Sequence, residues 1–124
     1  MDRIPILHGI ARDLWWVADE SGRFRAKDYF DEKLSDAERR RFLVAFEQMA
    51  EAGAIVNEER YRKEGPNLAS FKAGKHRLFC FHAGRDVMFV EAFKKKSDKD
   101  KRLARSLRAA ERIRDAYLDD TTED

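Results

Sequence analysis

Cysteine is almost missing from this chain: Cys80 stands alone among 124 residues. A single thiol excludes an internal disulfide and any multi-cysteine zinc site. Long apolar runs are missing too, and none approaches the ~20 residues that a membrane-spanning helix needs. The opening MDRIPILHGIARDLWW has too short an apolar core for a secretory signal and lacks a small-residue cleavage site. A cytoplasmic protein without a membrane partner is therefore expected. No segment repeats, no glycine-rich phosphate loop occurs, and neither H-E-x-x-H nor a Ser/His/Asp signature is present. Nothing points to a cofactor or a metal, and none is expected.

What the chain has in abundance is charge. Charged residues make up 40% of it and hydrophobic ones 43%, which suits one soluble domain with a real core and a heavily solvated surface. We assign a single domain to 1–118 and an acidic tail, expected to fray, to 119–124. The formal net charge of +2 hides an uneven distribution. Residues 1–59 carry 9 basic and 13 acidic side chains, residues 60–114 carry 17 and 6, and residues 115–124 carry five acids and no base. A segment as basic as the middle one attracts polyanions, because each cation near a phosphate releases condensed counterions. A solvated charged face is the plainer account, but the confinement of the excess to one segment favours nucleic acid.

Leu14–Ala18, LWWVA, is expected to be a strand, with Trp15 and Trp16 on opposite faces and at least one of them in the core. Ser21-Gly22 marks a turn. Arg25–Lys33 forms a short helix that carries Tyr29, Phe30 and Leu34 inward. Ser35-Asp36-Ala37-Glu38 is a capping box, in which the serine oxygen and the glutamate side chain each satisfy an orphan N–H, so a helix starts at Asp36. Phe42, Leu43, Phe46, Met49 and Ala50 make its apolar stripe, and Gly53 ends it. These two helices form a hairpin whose stripe covers a sheet. Asn57–Pro66 is polar, ends in Gly-Pro and reads as a loop; its Arg60, Arg62 and Lys63 are either solvated or against a phosphate backbone.

The stretch Leu68–Lys96 reads as three strands joined by two tight turns. With Ala73-Gly74 as the first turn, Lys72 lies opposite Lys75 and Ser70 opposite Arg77. Leu68, Ser70, Lys72, Lys75, Arg77, Phe79, Phe81, Met88, Val90, Ala92 and Lys94 then share one side. Ala69, Phe71, Leu78, Cys80, Val87, Phe89 and Phe93 make an apolar other side, with His76 and Glu91 near its edge. A bulge would flip part of this assignment. Ser97 or Asp98 caps a final helix with Leu103, Leu107, Ala110, Ile113 and Tyr117 as its stripe and a basic remainder. The fold expected is α+β: a single small domain with an antiparallel sheet, an N-terminal helical hairpin packed on one face and a C-terminal helix.

LASFKAGKHRLFCFHAGRDVMFVEAFKKKS resembles the β-hairpin core of RelE/HigB-type toxins, in particular the phage-derived HigB-like branch. The shared parts are Leu68 to Lys72, Arg77 to Phe81, Phe93-Lys94-Lys95-Lys96-Ser97, and Ala109/Ala110 with Tyr117 in a closing helix. The likeness covers about the last half of the chain. It departs where that branch often has glutamate and this chain has Ser70, and where a proline often follows the lysine pair.

The resemblance implies a RelE-like fold and a ribosome-dependent mRNA endonuclease, the toxin of a type II toxin-antitoxin system, neutralised by a cognate antitoxin such as a small helix-turn-helix protein. Its chemistry is attack of a ribose 2′-hydroxyl on the adjacent phosphate, which needs no metal because the nucleophile is in the substrate. Lys72 and Arg77 match the catalytic cationic positions. Arginine suits a phosphate clamp, and Lys72 acts as a base only if neighbours such as Lys75 and Arg77 lower its pKa. Lys95 and Lys96 match the lysine pair, with Lys94 in its variable slot, and these three with Lys75 and Lys99 are expected to bind RNA. His76 and His82 are candidate proton donors, weighed against a structural role. Cys80 reads as a small buried hydrophobe. Two other functions fit the same resemblance: a ParE-like inhibitor of DNA gyrase that binds protein and cleaves nothing, and a phage-derived RNA-binding regulator without activity.

Overall fold

The computed structural model describes residues 1–97 and 100–122. In chain order the elements are β1 (Arg3–His8), β2 (Asp13–Val17), α1 (Arg25–Lys33), α2 (Asp36–Ala52), β3 (Tyr61–Gly65), β4 (Leu68–Ala73), β5 (His76–Ala83), β6 (Asp86–Lys94) and α3 (Arg102–Thr122). The strands form one six-stranded sheet in the order β1-β2-β6-β5-β4-β3. The domain is α+β, as expected, but the sheet is larger than the sequence suggested and is mixed. β2 runs parallel to β6, Leu14 facing Val87 and Trp16 facing Phe89, while every other pair is antiparallel.

Helices cover both faces. On one side α1 and α2 bury Phe30, Phe42 and Phe46 against Trp16, Phe71 and Phe89. Phe46 is the hub, its ring 4.9 Å from Phe89 and 5.5 Å from Phe71. On the other side α3 lays Ala110, Ile113 and Tyr117 over Phe79, Phe81, Met88 and Val90. The central strands β5 and β6 are therefore buried twice, and Leu78 through Phe81 have no exposed surface.

The capping box forms as expected. Ser35 Oγ accepts from the Glu38 N–H at 3.2 Å, and Glu38 Oε1 accepts from the Ser35 N–H at 2.8 Å. Gly53 ends α2 in the left-handed region at φ 81°, its N–H donating to the Met49 carbonyl at 2.8 Å. At the start of α3 the outcome differs. Asp100 Oδ1 accepts from the Arg102 N–H at 3.0 Å; no bond from Ser97 to α3 occurs among the described residues, and Asp98 lies outside them. α3 continues through Thr122, so the first four residues of the 119–124 segment are helical.

Two expectations about the strands are corrected. The stretch 57–66 is not all loop, because Tyr61–Gly65 pairs with β4 along the edge of the sheet. The β4–β5 turn is Gly74-Lys75, with Gly74 at φ 58°, so Lys72 faces Arg77 rather than Lys75, and Ser70 faces Phe79 rather than Arg77. The shift is two residues in pairing, which preserves side-chain parity, and the faces of β4 and β5 stand as expected. In β6 they do not. The register slips between Phe79–Glu91 and Cys80–Phe89, leaving Val90 as an extra residue. The bulge sends Phe93 to the α3 side and Ala92 to the helical-hairpin side, each the reverse of the sequence assignment.

Candidate active site

Lys72 on β4 and Arg77 on β5 are direct cross-strand partners, so their side chains leave the same face of the sheet. That face is the one α3 covers, but α3 stops short of this end. Leu103 in its first turn, Phe93, Arg62, Glu64 and Lys95 complete a cavity of about 90 Å³ around the pair. That is room for a small group such as a phosphate, and Lys72 also lines two larger clefts, one with Arg41 and Arg60 and one with Arg62 and Lys63.

Both cations are half-buried and tethered. Lys72 Nζ donates to the Glu58 carbonyl at 3.0 Å. Arg77 Nη1 donates to the carbonyls of Gly74 at 2.8 Å and His76 at 3.0 Å. Burial lowers the Lys72 pKa, and the charges of Arg77, Arg62 and Lys95 lower it further against the opposing pull of Glu64. Burial also lowers Arg77, with Arg62 adding to the effect and Glu64 opposing it. The cause expected from sequence is thus present in kind, although Arg62 and Lys95 supply it alongside Arg77, and Lys75 does not.

The remaining predicted residues scatter. Lys95 lines the cavity. Lys75 is exposed in the β4–β5 turn, and Lys96 is exposed beyond β6. Lys94 pairs with His76 across β5 and β6, which puts it on the hairpin side, away from Lys72. Lys99 lies outside the described residues. The two histidines also sit on the hairpin side. His76 is 6% exposed, with Nδ1 2.7 Å from the Tyr29 hydroxyl and Nε2 2.7 Å from Glu38 Oε2. His82 Nε2 is 3.1 Å from the Tyr61 hydroxyl, and burial followed by the Arg12 charge lowers its pKa. Neither reaches the Lys72–Arg77 cavity. Cys80 is fully buried, and burial pushes its thiol pKa far up, in keeping with an inert packing role.

Glu64 is the cavity residue that sequence reasoning missed. It lies in the stretch read as loop, where Tyr61-Arg62-Lys63-Glu64 offers one apolar residue in four and no strand alternation. The available signal was the turn that follows. Pro66-Asn67, with Asn67 at φ 47°, joins β3 to β4 as a tight hairpin, and asparagine is among the few residues that tolerate that backbone.

Fold and cavity together define a small α+β domain that gathers cations from neighbouring strands into one recess. Residues 28–115 match the family model described as phage derived protein Gp49-like (DUF891). The match takes in α2, all of β3 to β6 and every residue lining the cavity, and the chain belongs to this family, which is of the RelE/HigB toxin type. No curated protein matches the chain. Among the described residues no helix is long and apolar enough to cross a membrane.

Proposed function

We propose that the protein is the toxin of a type II toxin-antitoxin system and cleaves mRNA on the ribosome, by attack of a ribose 2′-hydroxyl on its own 3′-phosphate. The observation that supports this is the Lys72–Arg77 pair, held side by side in a cationic recess with room for a phosphate. Arg77 presents a planar fork to two phosphate oxygens. Lys72, fixed by the Glu58 carbonyl, adds charge where the pentavalent phosphate becomes more negative, and its lowered pKa makes it a readier proton donor to the leaving 5′-oxygen than an ordinary lysine. Arg62 and Lys95 extend the positive surface along which the RNA strand runs. The cognate antitoxin is, on this reading, a small helix-turn-helix protein that blocks this surface.

Cell-free translation followed by primer extension tests the reading. The wild type is expected to cut within translated codons, and Lys72→Met is expected to lower the cleavage rate by roughly 100-fold or more, the usual scale for losing a charge that meets the transition state. Intact message throughout would overturn the proposal, and intact message together with a supercoiling defect would point to gyrase instead. Unchanged cleavage by Lys72→Met would remove this residue from the mechanism.

A further inference from the structure

Among the described residues the cavity is lined by one carboxylate beside its cations, and the reaction proposed above needs a group to take the proton of the attacking hydroxyl. Resting on that endonuclease reading, we propose that Glu64 is the general base. Glu64 reaches the cavity from β3, the edge strand, and its Oε1 accepts a hydrogen bond from Ser70 Oγ at 2.8 Å. Ser70 has no exposed surface, so its hydroxyl has no water to turn to and holds the carboxylate in one orientation. The groups facing Glu64 are Arg62 on its own strand, Ser70 and Lys72 from β4, Arg77 from β5 and Lys95 after β6, while α3 contributes only the apolar Leu103. Ser70 thus anchors one oxygen of the carboxylate.

The chemistry of the recess selects this group. A guanidinium does not act as a base, and a lysine must first lose its proton. A carboxylate enters the reaction already able to accept one. The 2′-hydroxyl proton passes to Glu64 as the 2′-oxygen bonds to phosphorus. The bond from phosphorus to the 5′-oxygen breaks, and that oxygen takes its electron pair and a proton from the Lys72 ammonium. The products are a 2′,3′-cyclic phosphate and a 5′-hydroxyl. Glu64 returns its proton to water and Lys72 recovers one, so the protein ends as it began.

The test is single-turnover cleavage of mRNA on programmed ribosomes as a function of pH, with the wild type, Glu64→Gln and Glu64→Asp. Glutamine keeps an acceptor for the Ser70 hydroxyl, so the fold is expected to melt as the wild type does. Glu64→Gln is expected to lose about 100-fold or more in rate, together with the rise on the acid side that marks ionisation of the base. Glu64→Asp, one methylene shorter, is expected to be slower than the wild type but to keep that rise. A Glu64→Gln protein that cleaves within about tenfold of the wild type, with its acid limb intact, overturns the assignment. If Glu64→Gln fails to fold, full-rate cleavage by Glu64→Asp overturns it, and a slower rate with the limb preserved supports it. Absence of cleavage by the wild type sinks the endonuclease reading itself and this role with it, an outcome separable from a wild type that cuts and a glutamine variant that cuts equally well.

Discussion

One carboxylate at position 38 closes two hydrogen-bonded systems. Glu38 Oε1 completes the capping box with the Ser35 N–H, and Oε2 meets His76 Nε2 at 2.7 Å on the strand beneath. A carboxylate only accepts, so Nε2 carries a proton, and in the neutral ring Nδ1 then accepts from the Tyr29 hydroxyl. Helix start, buried imidazole and α1 are locked through one side chain. Ser35→Ala removes only the reciprocal cap and should cost ~1 kcal/mol. Glu38→Ala removes the other half of the box and also leaves a buried N–H without its acceptor, which adds about 1–3 kcal/mol. Urea denaturation of the two variants checks this, and equal losses would show that the His76 contact contributes nothing. Because this network lies on the opposite face from Lys72, either variant that remains folded should cleave RNA as the wild type does.

Between elements the tightest junction is where the β1–β2 loop meets the end of α2. The Ala50 carbonyl accepts from the N–H groups of Ala11 at 2.9 Å and Arg12 at 3.0 Å, and Arg12 Nε donates to the Gly53 carbonyl at 2.8 Å. Gly9 passes so close that an added Cβ would fall 2.3 Å from the Ala50 carbonyl oxygen. Gly9→Ala must therefore push the loop off the helix, and it should cost about 1–3 kcal/mol by equilibrium unfolding; a neutral substitution would mean that the loop docks elsewhere in solution. This junction was not legible in the sequence, since nothing in GIAR announces a helix end 40 residues away. What was legible is what local chemistry dictates: the Ser35–Glu38 box, the Gly53 stop, the cross-strand neighbourhood of Lys72 and Arg77, and the apolar stripe of α2 except at Leu43, which is exposed while Ala45 is buried in its stead. Alternation failed where both sides of a strand are covered. In β6, Val87 to Val90 are all buried, so the pattern has no polar face against which a bulge at Val90 would show. It failed in β3 for the opposite reason, because an edge strand built as Tyr-Arg-Lys-Glu looks like a solvated loop, and with it went Glu64.

For the molecule as a whole, the buried polar groups set the response to acid. Asp19 is 7% exposed; burial alone would raise its pKa, but hydrogen bonds from the Ser21 hydroxyl and Arg25, with the backbone N–H groups of Arg23 and Ser21, outweigh burial and hold the carboxyl far below its ordinary 3.8. His82 is held below 6.5 by burial and by the Arg12 charge. In both cases the unfolded chain binds the proton more readily than the folded one, so protonation favours unfolding. The contribution of neutral His82 is complete above 6.5 and fades as pH falls towards its depressed folded value, whereas that of Asp19 stays complete until pH drops below about 3.8. The two losses therefore fall in separate windows. Melting temperature should decline first in mildly acid solution, level off, and decline again in strong acid. His82→Gln keeps a partner for the Tyr61 hydroxyl and has no proton to gain, so it should erase the first decline and leave the second. A first decline that survives in His82→Gln would place the mildly acid sensitivity in another group. Neutral pH lies above both windows, so a loss of activity there in a Lys72 or Glu64 variant is not acid unfolding, whereas the acid limb of a cleavage profile must be compared with melting curves recorded at the same pH.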